Sequence, residues 1–263
     1  MSISSSAHIA SSSLIAAGAM IGAHVTIGPF CLISADVVIG EGTIVGSHSV
    51  INGLTTIGRD NHIGHFSSIG EVNQDLKYAG EPTRLVIGDR NMIGNNVSLH
   101  LGTVQGGSCT TIGNDNRLMN SVHIGHDCIV GNGTTMRNNS GLAGHVELGD
   151  GALVGAMCAI HQFCIVGAHA IIADQSGAVQ DIPPFVKACG NHAKPDGINI
   201  KSSAFIALSL AEKELIQTIY SMLYQQSLPA EEVKQWIKIW MNDFEVARIF
   251  GRFFTRSKRG IIR

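Results

Sequence analysis

Ile57-Gly58-Arg59-Asp60-Asn61-His62-Ile63-Gly64-His65-Phe66-Ser67-Ser68-Ile69-Gly70 places a large aliphatic residue and a glycine at every sixth position. Counting outward, positions 3, 9, 15, 21, 27, 33, 39, 45, 51, 57, 63 and 69 are all Ile or Val. The beat breaks at Asp75 and Glu81, returns at Ile87, Ile93 and Leu99, and fails again at Gln105. It resumes one residue late at Ile112 and holds through Ile172, always as Ile, Val, Leu or Met. A beat of six this regular is far stronger than ordinary strand alternation. One aliphatic residue with small or polar neighbours describes a short flat strand and a corner. Three hexads close a triangular coil, and coils stack by parallel hydrogen bonding. The aliphatic stack fills the prism, and Gly or Asn is expected at corners that need positive φ. Roughly ten coils at about 4.8 Å spacing give a prism of about 50 Å.

Two off-beat segments interrupt the prism, Asn73 to Arg84 and Thr103 to Thr111 with Gly106-Gly107. Both are polar and glycine-bearing, and are read as loops thrown out from coil corners, where function concentrates. The pattern fades after Ile172, and Asp181-Ile182-Pro183-Pro184 marks the end of regular coils. From about Ser202 the period becomes helical. Ala204 to Gln225 reads as one amphipathic helix, Pro229-Ala230-Glu231-Glu232 opens a second, and Asp243 is the expected cap of a third running to about Thr255. Arg248, Arg252, Arg256, Lys258, Arg259 and Arg263 make the tail basic, as a solvated face or a docking patch for an acidic partner.

The 263 residues carry a net charge of −2, which argues against a nucleic-acid binder that works by bulk charge. Only 14% are charged and 31 are glycine, as suits a regular β architecture with many tight turns. The six cysteines form no close pair and read as small buried hydrophobes in a reducing compartment. The serine-rich start lacks a basic n-region and already keeps the beat, so it reads as structure rather than a signal peptide. No apolar run approaches membrane-spanning length. A soluble cytoplasmic protein is expected.

Chemistry gathers at Val122-His123-Ile124-Gly125-His126-Asp127-Cys128. Ile124 is on the beat; the histidines are off it and face outward. His8, His24, His48, His62 and His65 read as surface residues, whereas His100, His123, His126, His145, His161 and His169 are denser. Stacking coils puts His126, Gly144 and Gln162 in one outer column and Asp127 and His145 one step along. Three readings compete. Histidine clusters on such prisms can bind zinc, but no carboxylate or thiolate set stands at ligand spacing. The histidines can be purely structural. The favoured reading is a general base, since a neutral imidazole beside an acid takes a proton from a hydroxyl at neutral pH.

These motifs together resemble the bacterial UDP-N-acetylglucosamine O-acyltransferases, which perform the first acylation of lipid A synthesis. The resemblance covers nearly the whole chain. It rests on Ile27-Gly28-Pro29-Phe30-Cys31, the run from Gly70 to Thr83, Gly102-Thr103-Val104-Gln105-Gly106-Gly107, and His123 to Cys128. It rests also on Leu142-Ala143-Gly144-His145-Val146, His161-Gln162-Phe163-Cys164, Gly190-Asn191-His192-Ala193 and Arg259-Gly260-Ile261-Ile262-Arg263. The hexad alone is shared with other acetyltransferases and with some carbonic anhydrases, so a related acyltransferase on another nucleotide sugar and a γ-carbonic-anhydrase-like metal site stand as alternatives.

The resemblance implies a mainly β fold, a left-handed parallel β-helix of hexapeptide repeats over residues 1–190, followed by a small α-helical C-terminal domain over 191–263. It implies a homotrimer with sites between neighbouring prisms and no metal or cofactor. His126 is then the base that deprotonates the sugar 3-hydroxyl, Asp127 orients it, and the Gly144 N–H holds the oxyanion. The acyl donor is a (R)-3-hydroxyacyl chain on acyl carrier protein, an acidic partner for the basic tail. Asp75, Lys77, His100, His123, His145, His161 and Gln162 line the sugar and acyl sites, Asp174 the end of the acyl groove, and Asn199 the nucleotide end. Three departures bear on the acceptor: Leu101, Phe205 and Ile206 stand where the family carries arginine.

Overall fold

The computed structural model describes residues 2–263. Each regular hexad is a two-residue strand and a corner, as in Thr26–Ile27, Leu32–Ile33 and Val38–Ile39. Each strand pairs in parallel with the one a full coil further on: Ile27 with Val45, Ile33 with Ile51, Ile39 with Ile57. The result is three sheets of nine, eleven and nine strands, the faces of a triangular prism. This is the expected β-helix. The beat residues point inward; Ile33, Ile51, Ile63, Ile69 and Ile124 are all 0% exposed, and burying each such side chain stabilises the fold by about 1.5–3 kcal/mol. The beat also outlasts Ile172, since Gly177–Ala178 and Val186–Cys189 are strands, and the antiparallel strand Lys194–Ile198 pairs beyond them.

The corners correct one expectation. Positive φ falls three residues after the beat, and the occupants are mostly not Gly or Asn: His24, Phe30, His48, Asp60, Phe66, Arg90, Asp127, His145, Phe163 and His169 all adopt it. The glycine that follows the beat serves close approach instead. A Cβ on Gly40 would come within 2.5 Å of the Gly58 carbonyl oxygen, and one on Gly58 within 2.6 Å of that of Gly88. The stack at these glycines leaves no room for a side chain, although Met119, Arg137 and His161 fill the same position on other coils, so the glycine pattern reports local coil spacing rather than backbone handedness.

Both excursions leave from the corner that follows the third sheet, after Ser68–Glu71 and Ser98–His100, which is also the sheet of His123–Ile124. The second is shorter than expected. It contains a 3-10 turn, Val104–Gly106, and returns to strand at Cys109–Ile112.

The helical part also departs from expectation. The single helix over Ala204 to Gln225 is two, α1 (Ser203–Ala207) and α2 (Leu210–Tyr224). Ser209 and Glu212 form a capping box that starts α2 afresh. Next come α3 (Ala230–Ile237) and α4 (Glu245–Arg256); the N-cap of α4 is Phe244, without a side-chain bond, not Asp243. The basic tail is largely engaged within the chain. Arg248 and Arg252 pair with Glu245, Arg256 pairs with Glu147, and Arg263 bonds the carbonyls of Leu223 and Leu228. Buried Asp181 ties this tail to the prism, accepting from the Ile165 N–H and the Ser257 hydroxyl. Among the described residues, no helix is long and apolar enough to cross a membrane.

Candidate active site

His126 and Asp127 stand at the corner after His123–Ile124. Asp127 has φ 59°, and this left-handed turn brings its carboxylate back toward its neighbour. His126 Nδ1 lies 2.8 Å from Asp127 Oδ2. An ionised carboxylate can only accept, so Nδ1 carries the proton and Nε2 is left with its lone pair. The carboxylate is fully covered, its side chain 0% exposed. Thr103 donates to it twice, from N–H to Oδ1 at 2.8 Å and from Oγ1 to Oδ2 at 2.6 Å. One coil on, His145 Nε2 approaches Oδ2 at 3.8 Å, and the His145 ring stacks on Phe163 at 4.3 Å.

His126, Asp127 and His145 thus bring three donor atoms within 4.8 Å of one another. Ligand spacing along the chain did not reveal this group, because its members come from successive coils. Both Asp127 oxygens already accept protein donors and the Nδ1 contact has hydrogen-bond length, so the set fits proton chemistry better than a metal. Burial holds the His145 imidazole below its ordinary range, although Asp127 opposes this. Burial also pushes the adjacent Cys128 thiol up to about 12, which keeps it from acting as a nucleophile.

Gly144 lies against the imidazole: a Cβ on it would come 2.5 Å from His126 Cε1 and Nε2. At several corners the N–H in the position of Gly144 is taken by an Asn or Asp side chain of the next coil, as from Arg59 to Asp89, Asn114 to Asn132, Asn132 to Asp150 and Ala156 to Asp174; where the next coil offers no such side chain it is left open. For Gly144 the next residue in the column is Gln162, and among the described residues the Gly144 N–H meets no acceptor. A free backbone donor therefore stands beside the imidazole of His126.

Sequence comparison points the same way. A model of bacterial transferase hexapeptide repeats matches residues 18–53 and 109–144. A second, described as UDP-N-acetylglucosamine O-acyltransferase domain 2, matches 181–262. A relative from Aliivibrio salmonicida, an acyl-(acyl-carrier-protein)–UDP-N-acetylglucosamine O-acyltransferase, is 50% identical over 195 residues, 74% of each chain. The chain belongs to the UDP-N-acetylglucosamine O-acyltransferase family. Of the solved structures, LpxA from Acinetobacter baumannii matches with a TM-score of 0.88 at 40% identity over 99% of both chains. The UDP-N-acetylglucosamine acyltransferase from Campylobacter jejuni gives 0.88 at 32% identity, covering 97% of this chain and 98% of its own.

In this O-acyltransferase the remaining candidates fall into separate places. His100 and His123 form a second cluster beside the first, with ring centroids 5.1 Å apart; His123 Nδ1 bonds Ser98 Oγ and His100 Nδ1 bonds the Val72 carbonyl. Burial, and then the neighbouring His100, hold His123 below its ordinary range. Asp75 accepts from the Lys77 N–H in the first excursion, close enough for its charge to act on His145. His161 and Gln162 are exposed on the coil beyond Gly144. Asp174 and Asn199 are not brought to His126 within one chain. Asp174 follows the second sheet, where its Oδ1 accepts from the Ala156 N–H and from Arg137. Asn199 is buried on the third corner, donating to the His169 carbonyl.

Two features were missed in the sequence. One is Thr103, which no spacing rule connects to Asp127. The other is a cleft of about 450 Å³ beside the corner, lined by Gly106, Asp127, His145, Glu147, Phe163, Arg256 and Lys258. The departures have structural reasons. Leu101 is 5% exposed and packs where a Cβ on Gly53 would meet it at 2.8 Å; Phe205 is 7% exposed in the helical core, and only Ile206, at 63%, faces solvent.

Proposed function

We propose that this chain transfers a (R)-3-hydroxyacyl group from acyl carrier protein to the 3-hydroxyl of UDP-N-acetylglucosamine, the first acylation of lipid A synthesis. The observation that carries the reading is the His126–Asp127 pair, with Nδ1 on the carboxylate and Nε2 against Gly144. Nε2 takes the proton of the sugar hydroxyl as its oxygen attacks the thioester carbonyl. The negative charge that forms on the carbonyl oxygen is received by the open N–H of Gly144, and Asp127 stabilises the imidazolium. Collapse breaks the carbon–sulfur bond, and the leaving thiolate takes the proton from Nε2, yielding ester and free thiol. The thioester is already activated, so the step asks nothing of a metal or redox cofactor.

His126, Asp174 and Asn199 occupy three different corners of one prism. A site that uses His126 together with Asn199 needs neighbouring chains, which supports a homotrimer with sites between prisms. Arg256 and Lys258 line the cleft beside Asp127 and suit an acidic carrier. The test is mass spectrometry of the product formed by purified protein from UDP-N-acetylglucosamine and a ladder of acyl carrier thioesters, with sedimentation of the same sample. An O-acylated sugar nucleotide from a trimer is expected, and His126→Ala should abolish it while leaving assembly intact. Activity lost to a chelator and restored by zinc would overturn the general-base reading.

A further inference from the structure

Other carboxylates at the same left-handed position lie open: the side chain of Asp115 is 54% exposed, that of Asp127 0%. The difference is the turn that follows Leu99. Thr103, itself 1% exposed, caps this turn, with its Oγ1 accepting from the Gly106 N–H at 3.2 Å while donating to Asp127 at 2.6 Å. Gly107 closes the turn at φ 100°, and the Ser108 N–H returns to the Thr103 carbonyl at 2.8 Å. Gly106 lies flat on the carboxylate, since a Cβ there would come 2.1 Å from Asp127 Cγ. From beneath, Thr110 Oγ1 accepts the Asp127 N–H at 2.8 Å.

The oxygen that takes the Thr103 hydroxyl is Oδ2, the same one that takes the Nδ1 proton of His126. A carboxylate with only the imidazole for a partner could rotate and admit water. With both oxygens pinned, Oδ2 has one remaining direction, toward Nδ1, and burial strengthens that bond. The other ionisable groups around the carboxylate are His145 at 3.8 Å, Cys109, Cys128, and Glu147, Arg256 and Lys258 across the cleft.

We propose that Thr103 is a positioning residue for acyl transfer, and that the Thr103–Gly107 turn is a cap that keeps the Asp127 carboxylate dry and aimed at His126 Nδ1. This rests on the reading of His126 as the base. Thr103 acts through Asp127 and touches neither the sugar nor the acyl chain, so its loss lowers kcat and leaves KM alone. Glycine at 106 is required because the cap closes directly onto a carboxylate.

The test compares Thr103→Val with Thr103→Ser in the full chain. In Thr103→Val, kcat for transfer from an acyl carrier thioester to UDP-N-acetylglucosamine should fall roughly 10- to 100-fold, the worth of one hydrogen bond to a charged group. Both KM values should stay within about twofold, and Thr103→Ser should recover most of the rate. An independent signature is the Nδ1 proton of His126 in a histidine-labelled NMR spectrum, identified by its absence in His126→Ala. It should be seen far downfield in wild type and Thr103→Ser, and exchange-broadened or moved upfield in Thr103→Val. Should Thr103→Val fail to fold, Gly106→Ala should show the same loss of kcat and of the proton signal. Wild-type kcat in Thr103→Val, an equal fall in Val and Ser, or a change confined to KM overturns the proposal. The proton is read without turnover, so a wild type that performs no acyl transfer, yet loses the signal in Thr103→Val, overturns the proposed reaction and keeps the cap.

Discussion

Gly144 holds its Cα so close to His126 that a methyl group on it would reach within 2.5 Å of both Cε1 and Nε2 of the imidazole. The missing side chain therefore leaves room for the imidazole, and the uncapped N–H of Gly144 stands beside it. Gly144→Ala should displace the ring and cut kcat by about 100-fold, the scale of misplacing a reacting group by about 1 Å. The inner column of Ile124, Leu142 and Ile160 is untouched, so the melting temperature should stay within a few degrees. Steady-state kinetics beside calorimetry decides; a wild-type rate would show that His126 tolerates the methyl and is not held here for catalysis.

The nucleotide end can be probed at Ile206 but not at Phe205. Phe205 packs on Phe185, with ring centroids 6.4 Å apart, and an arginine there would bury a charge in the helical core. Phe205→Arg should destabilise the helical segment strongly. Ile206 is exposed, and Ile206→Arg should fold normally and lower KM for UDP-N-acetylglucosamine through a charge-assisted bond to phosphate. An unchanged KM would mean that another basic residue, such as Lys201 or Lys194, already fills the role.

Asp174 bears on chain length. Its Oδ1 is already used, at 2.9 Å from the Ala156 N–H and 3.3 Å from Arg137. A carboxylate held in the corner ladder does not floor an acyl groove, so Asp174→Gly should leave the preferred chain length where it is. Competing thioesters of graded length against both proteins, read by mass spectrometry, provide the check. A shift of the mutant toward longer chains would restore Asp174 as the floor.

Acid should weaken the fold. Burial holds His123, His145 and His169 below the ordinary imidazole value of 6.5. The unfolded chain therefore takes up these protons at a pH where the folded chain does not. Their contribution to stability is whole above about pH 6.5 and is lost as the pH falls below it. Glu147, pushed up by burial, takes its proton more readily when folded and offsets part of the loss. The melting temperature should fall between pH 7 and 5, and less steeply in His123→Gln. A curve that stays flat or rises toward pH 5 would contradict this.

The architecture was legible in the sequence because a beat of six is a property of local backbone geometry. Each Ile or Val at that spacing must point inward if the coil is to close, and each excursion announces itself by breaking the count. Stacking arithmetic likewise placed His126, Gly144 and Gln162 in one column and Asp127 under His145, since residues one coil apart are neighbours whatever their side chains. Other features lay beyond it. Many corner residues with positive φ are His or Phe, whose rings stack from coil to coil, as His48 does on Phe66 and His145 on Phe163, and no single-residue preference records such a contact. The helix over residues 204–225 divides because the Ser209–Glu212 cap outweighs a continuous apolar face. Most of all, the partnership of Thr103 with Asp127 depends on the path of a non-periodic loop. Periodicity determined where His126 stands; only the tertiary structure decided what holds Asp127 in place, because a loop closes where its donors find acceptors, and no count along the chain encodes that distance.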